Sequence, residues 1–352
     1  MSQPHNPKEE TKMKLYGAID LHSTNNVAVL IDEEDKIVYQ KRLPNDLALI
    51  LKDLSVYQPR VEGMVVESTY NWYWLVDGLM EQGYKVHLAN TAAIQQYEGL
   101  KYTDDHSDAR WLAHLLRLGV LRQGYIYPRT ERPVRDLLRK RSQLVRHRTT
   151  HVLSIQNLLT RNTGSSMKAN QIKGLDVQQV DRLLPDGDLA LAVKANVAVM
   201  SSAAEQIEIL EQRVTELVEL RAQFRFLKTV PGIGEILALT IMLETGEIGR
   251  FASVGNFASY CRCVGSQKIS NGKKKGQGNT KNGNKYLAWA FIEAANFGIR
   301  FSATINGFYQ RKKAKTKGVV ALKAVAHKLC RACYYIMRDQ VPFNITKAFG
   351  QK

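Results

Sequence analysis

The stretch LYGAIDLHSTNNVAVLIDEEDKIVYQKR, residues 15–42, decides how the first third of the chain folds. Leu15–Asp20 is a short apolar run, Asn26–Ile31 is a second, and Lys36–Arg42 is a third with polar alternation. Asp32-Glu-Glu-Asp35 separates the last two and supplies a turn. Short apolar runs bounded by turn residues read as strands, so the three predict an antiparallel meander. Working outward, Leu47–Leu54 predicts a helix, Val61–Glu67 a buried strand, Trp72–Gln82 a helix, Lys85–Ala89 a strand and Ser107–Leu118 a helix. Strands followed by crossover helices imply a mixed α/β sheet. Trp72, Trp74 and Trp111 read as core residues.

From about Pro128 the pattern becomes helical. Arg129–Arg161 sets Leu137, Leu138, Leu144, Val145, Val152, Ile155 and Leu158 among many arginines, giving one apolar face and a cationic remainder that includes Arg139 and Arg146. Asn162–Ser166 is a break, and Val177–Leu184 and Leu189–Val199 predict shorter helices. Ile207, Leu210, Val214, Leu217, Arg221 and Phe224 recur at spacings of three and four, a short coiled-coil pattern that equally suits one arm of an intramolecular hairpin. Toward the C-terminus, Leu227–Glu244 is apolar with a Pro-Gly-Ile-Gly turn, and Tyr286–Gly298 and Val319–Arg338 predict helices.

The 352 residues hold 50 Lys+Arg against 33 Asp+Glu, a net charge of +17 that points to a polyanionic partner, nucleic acid foremost. With 44% hydrophobic residues the chain can build real cores, which excludes disorder throughout. The absence of a long apolar run and of an apolar N-terminal segment predicts a soluble, cytoplasmic protein with no membrane partner. Cys261-x-Cys263 and Cys330-x-x-Cys333 have zinc-site spacing, but the second pair lies within an apolar-periodic helix, and small core residues are the preferred reading. Between Val264 and Lys317 twelve cations face a single acid, Glu293.

Asp20 and Glu67 each end an apolar strand, and Asp105 and Asp108 share one face at the start of a helix. Singly, each reads equally well as a turn, cap or helix-dipole residue, and Asp104 rivals Asp105. In the order Asp, Glu, Asp, Asp they fit an RNase H-like sheet that gathers distant acids at one edge. Such a cluster needs divalent cations, and oxygen ligands suit Mg²⁺, with Mn²⁺ as the alternative. Two such ions serve phosphodiester chemistry. His22 reads as a neighbour of Asp20 rather than a ligand. Thr229–Leu239 resembles a helix-hairpin-helix turn in which Gly232 and Gly234 let the backbone approach a phosphate. Ser270-Asn-Gly-Lys-Lys-Lys-Gly-Gln-Gly-Asn-Thr-Lys281 combines glycines, a hydroxyl and the phosphate-neutralising Lys273, Lys274, Lys275 and Lys281. It reads either as a generic basic loop or as one carrying a nucleophile, Ser270 before Ser266.

Ala18-Ile-Asp20-Leu-His, Val65-Val-Glu67-Ser-Thr, Thr103-Asp-Asp105-His-Ser-Asp108-Ala, Val230-Pro-Gly-Ile-Gly234, and Ser270-Asn-Gly272 through Lys281-Asn-Gly-Asn-Lys-Tyr-Leu287 together resemble the insertion-sequence transposases of the "one-ten" family, the DEDD recombinases described as bridge-RNA-guided. The family's commoner Ser-Ser-Gly is replaced here by Ile269-Ser270-Asn271-Gly272. The resemblance implies a RuvC-like domain over 14–125 whose catalytic, metal-holding acids are Asp20, Glu67, Asp105 and Asp108. It further implies a basic coiled-coil region over 126–226 and a mainly helical transposase domain over 227–352 carrying the Ser270 nucleophile. Recombination of donor and target DNA through a serine–DNA intermediate, a guide RNA, and a homo-oligomer (dimer or tetramer) that combines serine and acids from different protomers are also implications of the resemblance. The rival readings are a RuvC-type structure-specific endonuclease using water and a non-catalytic nucleic-acid-binding protein.

Overall fold

The computed structural model describes residues 13–94, 104–218, 221–276 and 282–350. They fall into two compact units that divide between Arg129 and Thr130.

In the first unit, strands β1 (Leu15–Leu21), β2 (Asn25–Ile31), β3 (Ile37–Pro44), β4 (Val61–Glu67) and β5 (Val86–Ala89) form one sheet in the order β3-β2-β1-β4-β5. The first three are an antiparallel meander, and β4 and β5 run parallel to β1. The turn after β2 uses the acids of residues 32–35 locally: Asp32 Oδ1 accepts from the Glu34 and Lys36 amides at 2.9 Å each, while Asp35 takes a positive φ of 70°. Helices α1 (Leu47–Leu54) and α2 (Tyr73–Glu81) are the crossovers that parallel strands require. Strand alternation then splits the apolar residues between two faces. Leu15, Ile19, Ala28, Leu30, Met64 and Val66 join α1 and α2, with Trp72 buried among them. Ala18, Val27, Val29 and Val65 turn to the other face, where α3 (Asp105–Arg117) lays Ala109, Leu112 and Ala113 on them.

The second unit is helical apart from one hairpin. Two 32-residue helices, α4 (Arg132–Thr163) and α7 (Gly187–Val218), pack together, with α5 (Ala169–Lys173) and α6 (Val177–Leu183) between them in sequence. The sequence pattern divides 189–224 at about residue 200; the helix runs on to Val218 because Met200–Gln206 contains no glycine or proline to end it. Val152, Ile155 and Leu159 of α4 meet Val193, Val197 and Met200 of α7 in one core, and Val214 of the heptad-like stripe joins Leu138 of α4 in another, so this part of the stripe is buried within the chain. The other core gathers α8 (Ala222–Leu227), α9 (Glu235–Thr245), α10 (Val254–Tyr260), α11 (Lys285–Phe301), α12 (Ala303–Lys313), α13 (Gly318–Asp339) and α14 (Ile345–Phe349). Cys261, Cys330 and Cys333 are fully buried there as free thiols. Among the described residues no helix is long and apolar enough to cross a membrane.

Candidate active site

Strand register brings the first two acids together. Ala18 pairs with Val65 and Ile19 with Val66 across the parallel β1–β4 ladder, so Asp20 and Glu67 stand next in line at the carboxyl ends of adjacent strands. Alternation turns both toward the face that α3 covers. The same helix delivers the other two. Asp104 is its N-cap: its Oδ1 accepts from the Ser107 amide at 2.8 Å, and the Ser107 hydroxyl accepts from the Asp104 amide at 2.9 Å. This capping box occupies the Asp104 carboxylate and fixes the first turn, which presents Asp105 and Asp108 three residues apart.

His22, one residue beyond β1, binds the group together. Its Nε2 lies 3.3 Å from Asp20 Oδ2 and 3.3 Å from Asp105 Oδ2. Arg42, from the end of β3, reaches Asp105 Oδ2 at 2.5 Å and also donates to Asn25 Oδ1 at 2.8 Å. The Arg42 guanidinium, with His22 adding to it, holds the Asp105 carboxyl below the usual carboxylate range. Glu67 shows the opposite effect: burial, a hydrogen bond to Asp20 and the negative charges of Asp20 and Asp108 push its carboxyl up to about 8. At neutral pH this favours a proton held within the hydrogen-bonded Asp20–Glu67 pair. Asp20 itself is buried, at 4% exposure. Arg42 escapes a reading of motifs alone, although Asp20 pairs with Val27 and Val27 with Arg42, a row across three strands that a correct meander register exposes.

The donor set fits a divalent cation. Asp20, His22 and Asp105 offer ligand atoms within 4.8 Å of one another, and the His22 Nε2 atom is buried without a hydrogen bond. A cation there would also relieve the repulsion that holds a proton within the Asp20–Glu67 pair. Asp20, His22 and Asp105 are the residues that could hold it, so His22, expected only as a neighbour of Asp20, sits within the donor group, while Glu67 and Asp108 lie outside it.

The remaining candidate residues lie in the second unit. Gly232 has φ +92°, and a Cβ there would sit 2.4 Å from both Ala294 O and Gly298 N of α11, so this glycine is needed for packing whatever else it does. Gly234 is the N-cap of α9 and faces open space. Both border a groove of about 610 Å³ together with Lys228, Phe297 and Phe301. The segment after residue 267 is a hairpin, β6 (Lys268–Ser270) and β7 (Lys273–Gly276), around Asn271 (φ 49°) and Gly272 (φ 68°). Asn-Gly with both φ values positive is a tight type I′ turn, so Ser270 ends a strand, exposed, beside Lys273. Lys274 and Lys275 continue the exposed β7 strand, and Lys281 lies outside the described residues. Arg139 is committed inward: its Nε and Nη2 donate to buried Glu244 at 2.6 and 2.9 Å. Arg146 is exposed on α4.

Two family profiles match the chain, one described as "Transposase", of the DEDD IS110 type, over residues 18–162, and one described as "Transposase IS116/IS110/IS902 family" over 224–310. The chain belongs to the IS110 family of transposases. The first IS110 profile spans Asp20, Glu67, Asp105 and Asp108, and the second spans Gly232, Gly234 and Ser270. Among relatives, the transposase for insertion sequence element IS1111A of Coxiella burnetii is 21% identical over 324 residues, 89% of this chain and 83% of its own length. The y4qE protein of Sinorhizobium fredii is 25% identical over 234 residues, 64% of this chain. An uncharacterized 43.6 kDa protein of insertion element IS110 in Streptomyces coelicolor is 23% identical over 154 residues, 44% of this chain. The match spans 55% and 38% of the lengths of these last two.

Proposed function

We propose that the protein is a transposase/recombinase that cleaves, exchanges and rejoins DNA strands of an insertion sequence, with Asp20, Glu67, Asp105 and Asp108 as its metal-holding acids and Ser270 as its nucleophile. The observation that carries this reading is the convergence of the four acids at one end of a sheet ordered β3-β2-β1-β4-β5, which favours an RNase H-like, RuvC-like unit. A divalent cation, Mg²⁺ by its preference for oxygen ligands, would supply charge neutralisation at the phosphoryl oxygens. His22 and Arg42 orient Asp105, and the Asp20–Glu67 hydrogen bond holds those two carboxyls side by side.

In the strand-cleavage step the Ser270 oxygen bonds to phosphorus and loses its proton, the bridging P–O bond to the leaving strand breaks, and the leaving oxygen takes up a proton. The serine–DNA ester conserves the phosphodiester's energy, so attack by a new strand's hydroxyl reverses the step and rejoins DNA without a co-reactant. Lys273, Lys274 and Lys275 lower the charge barrier around that phosphate. Guidance by a structured RNA, which would leave base reading to pairing and backbone contacts to the protein, suits the basic surface, as does a homo-oligomer that brings one protomer's serine to another's acids.

The test is covalent trapping on a DNA substrate carrying the element's ends. The parent chain should yield a protein–DNA adduct with Mg²⁺, Glu67→Ala should lose both adduct and cleavage, and Ser270→Ala should do the same. Cleavage that survives Ser270→Ala would instead establish a water-using nuclease, and cleavage that survives Glu67→Ala would remove the acids from the mechanism.

A further inference from the structure

A second concavity lies within the helical unit, lined by neither the acids nor the Ser270 hairpin. It encloses about 240 Å³ between α4 and the first turns of α11, and Arg141, Arg146, Lys285, Tyr286 and Trp289 form its chemically distinctive walls. Three cations gather there from segments about 140 residues apart in sequence, and no acid among the described residues lines the space. Arg141 is braced by Glu211, with Nε 2.7 Å and Nη2 2.6 Å from the same oxygen, while Arg146 and Lys285 are exposed. Like charges held together in one hollow repel, and an anion relieves that repulsion.

The aromatic wall narrows the choice of anion. Trp289 is 38% exposed at the N-terminal end of α11, where its neighbours Leu287 and Phe291 are fully buried. Tyr286 is held in place by the Arg139 guanidinium 4.7 Å from its ring centre and by Lys285 Nζ at 5.3 Å. The helix start beneath them is rigid: Asn284 caps the Tyr286 and Leu287 amides at 2.8 and 3.1 Å and anchors to buried Glu244 at 2.7 Å. A flat apolar face beside fixed cations is what a nucleotide requires, a base to stack and a phosphate to neutralise. The volume falls below the roughly 300–1,000 Å³ of pockets for drug-sized ligands, which leaves room for one ring system and not for a peptide helix. Bases in a duplex are hidden in the stack, so the occupant is unpaired.

Resting on the reading of this chain as a nucleic-acid-processing enzyme, we propose that this pocket captures one unpaired nucleotide of a single strand, its base stacked on Trp289 and its phosphate held by Arg146 and Lys285. The pocket lies between α4 and the first turns of α11. The periodicity of Tyr286–Gly298 predicts a core helix and gives no reason to single out Trp289; only its exposure beside the arginines of a distant helix does so.

The experiment is equilibrium binding by the full chain of fluorescently labelled single-stranded DNA, single-stranded RNA and duplex DNA of one sequence. Trp289→Ala should weaken single-strand binding about 5- to 150-fold, the range of one base–aromatic stack, leaving duplex affinity within about twofold. Trp289→Phe should keep most of it, and Arg146→Ala should weaken binding and reduce the salt slope by about one. The DNA and RNA arms tell which strand is held. Single-strand affinity unchanged in Trp289→Ala, or lost equally with duplex affinity, overturns the pocket assignment. A parent chain that binds none of the three probes overturns the nucleic-acid reading itself, so the two failures differ.

Discussion

Glu244→Ala takes the carboxylate out of a buried cluster that ties three helices together. Glu244 is 2% exposed and accepts from Arg135 Nε at 3.1 Å, Arg139 Nε at 2.6 Å, Arg139 Nη2 at 2.9 Å and Asn284 Nδ2 at 2.7 Å. Burial opposes its ionisation, but the bonds and charges of Arg139 and Arg135, with Asn284, hold its carboxyl below the usual range. Removing it takes a buried charged acceptor away from the Arg135 and Arg139 guanidiniums and from Asn284 Nδ2. Breaking a buried pair from one side costs about 3–5 kcal/mol. For a unit of this size that lowers the melting temperature by about 6–20 °C. Calorimetry or circular dichroism of the full chain should show this loss. Arg338→Ala, which breaks an exposed pair with Asp339, should leave the melting temperature close to the parent's. The double variant Arg135→Ala/Glu244→Ala should recover about 0.5–3 kcal/mol relative to the sum of the singles. Because the folded carboxyl is depressed, its stabilisation is complete above its unfolded value near 4.5 and fades as pH falls through the folded value. If Glu244→Ala melts within about 1 kcal/mol of the parent, the cluster is not a structural anchor and the reasoning is refuted.

Glu67 titrates the other way. Its raised carboxyl stabilises the metal-free fold fully below about pH 4.5, and that contribution is lost as pH rises through about 8, so the metal-free protein should weaken between about pH 4.5 and 8 and Glu67→Gln should not. With Glu67 as a proposed ligand, cation binding would displace its proton, so Mn²⁺ affinity measured by calorimetric titration should rise up to about tenfold per pH unit below pH 8; a flat profile would remove Glu67 from the ligand set. Asp104→Ala should cost about 1 kcal/mol of helix capping and leave Mn²⁺ binding in place, whereas Asp105→Ala should impair it; equal effects would mean that the two acids share one role. Gly232→Ala should destabilise by about 2–5 kcal/mol, from the positive φ and the collision with the α11 backbone together, and a urea midpoint matching the parent's would show that the turn can shift.

Much of the first unit is legible in its sequence, since apolar runs bounded by turn residues carry their own period and the crossover rule then orders the sheet. Asp20 and Glu67 stand out because a buried strand ends on a charge in each. The division of labour between Asp104 and Asp105 is not legible, because both are acids at a helix start and only the capping geometry commits one of them to Ser107. The Asn-Gly dipeptide marks the turn after Ser270, yet surrounding lysines and glycines read as a loop, since a two-stranded hairpin carries too few residues for a period.

The amino-acid order by itself determined the alternation of strands and helices, the cationic character and the family, because these depend on neighbours along the chain. The tertiary structure alone decided which distant charges meet: His22 and Arg42 on Asp105, three donors on Glu244, and Trp289 beside the arginines of α4. The physical reason is that electrostatic and stacking energies fall off with distance in space, and sequence separation is no measure of that distance.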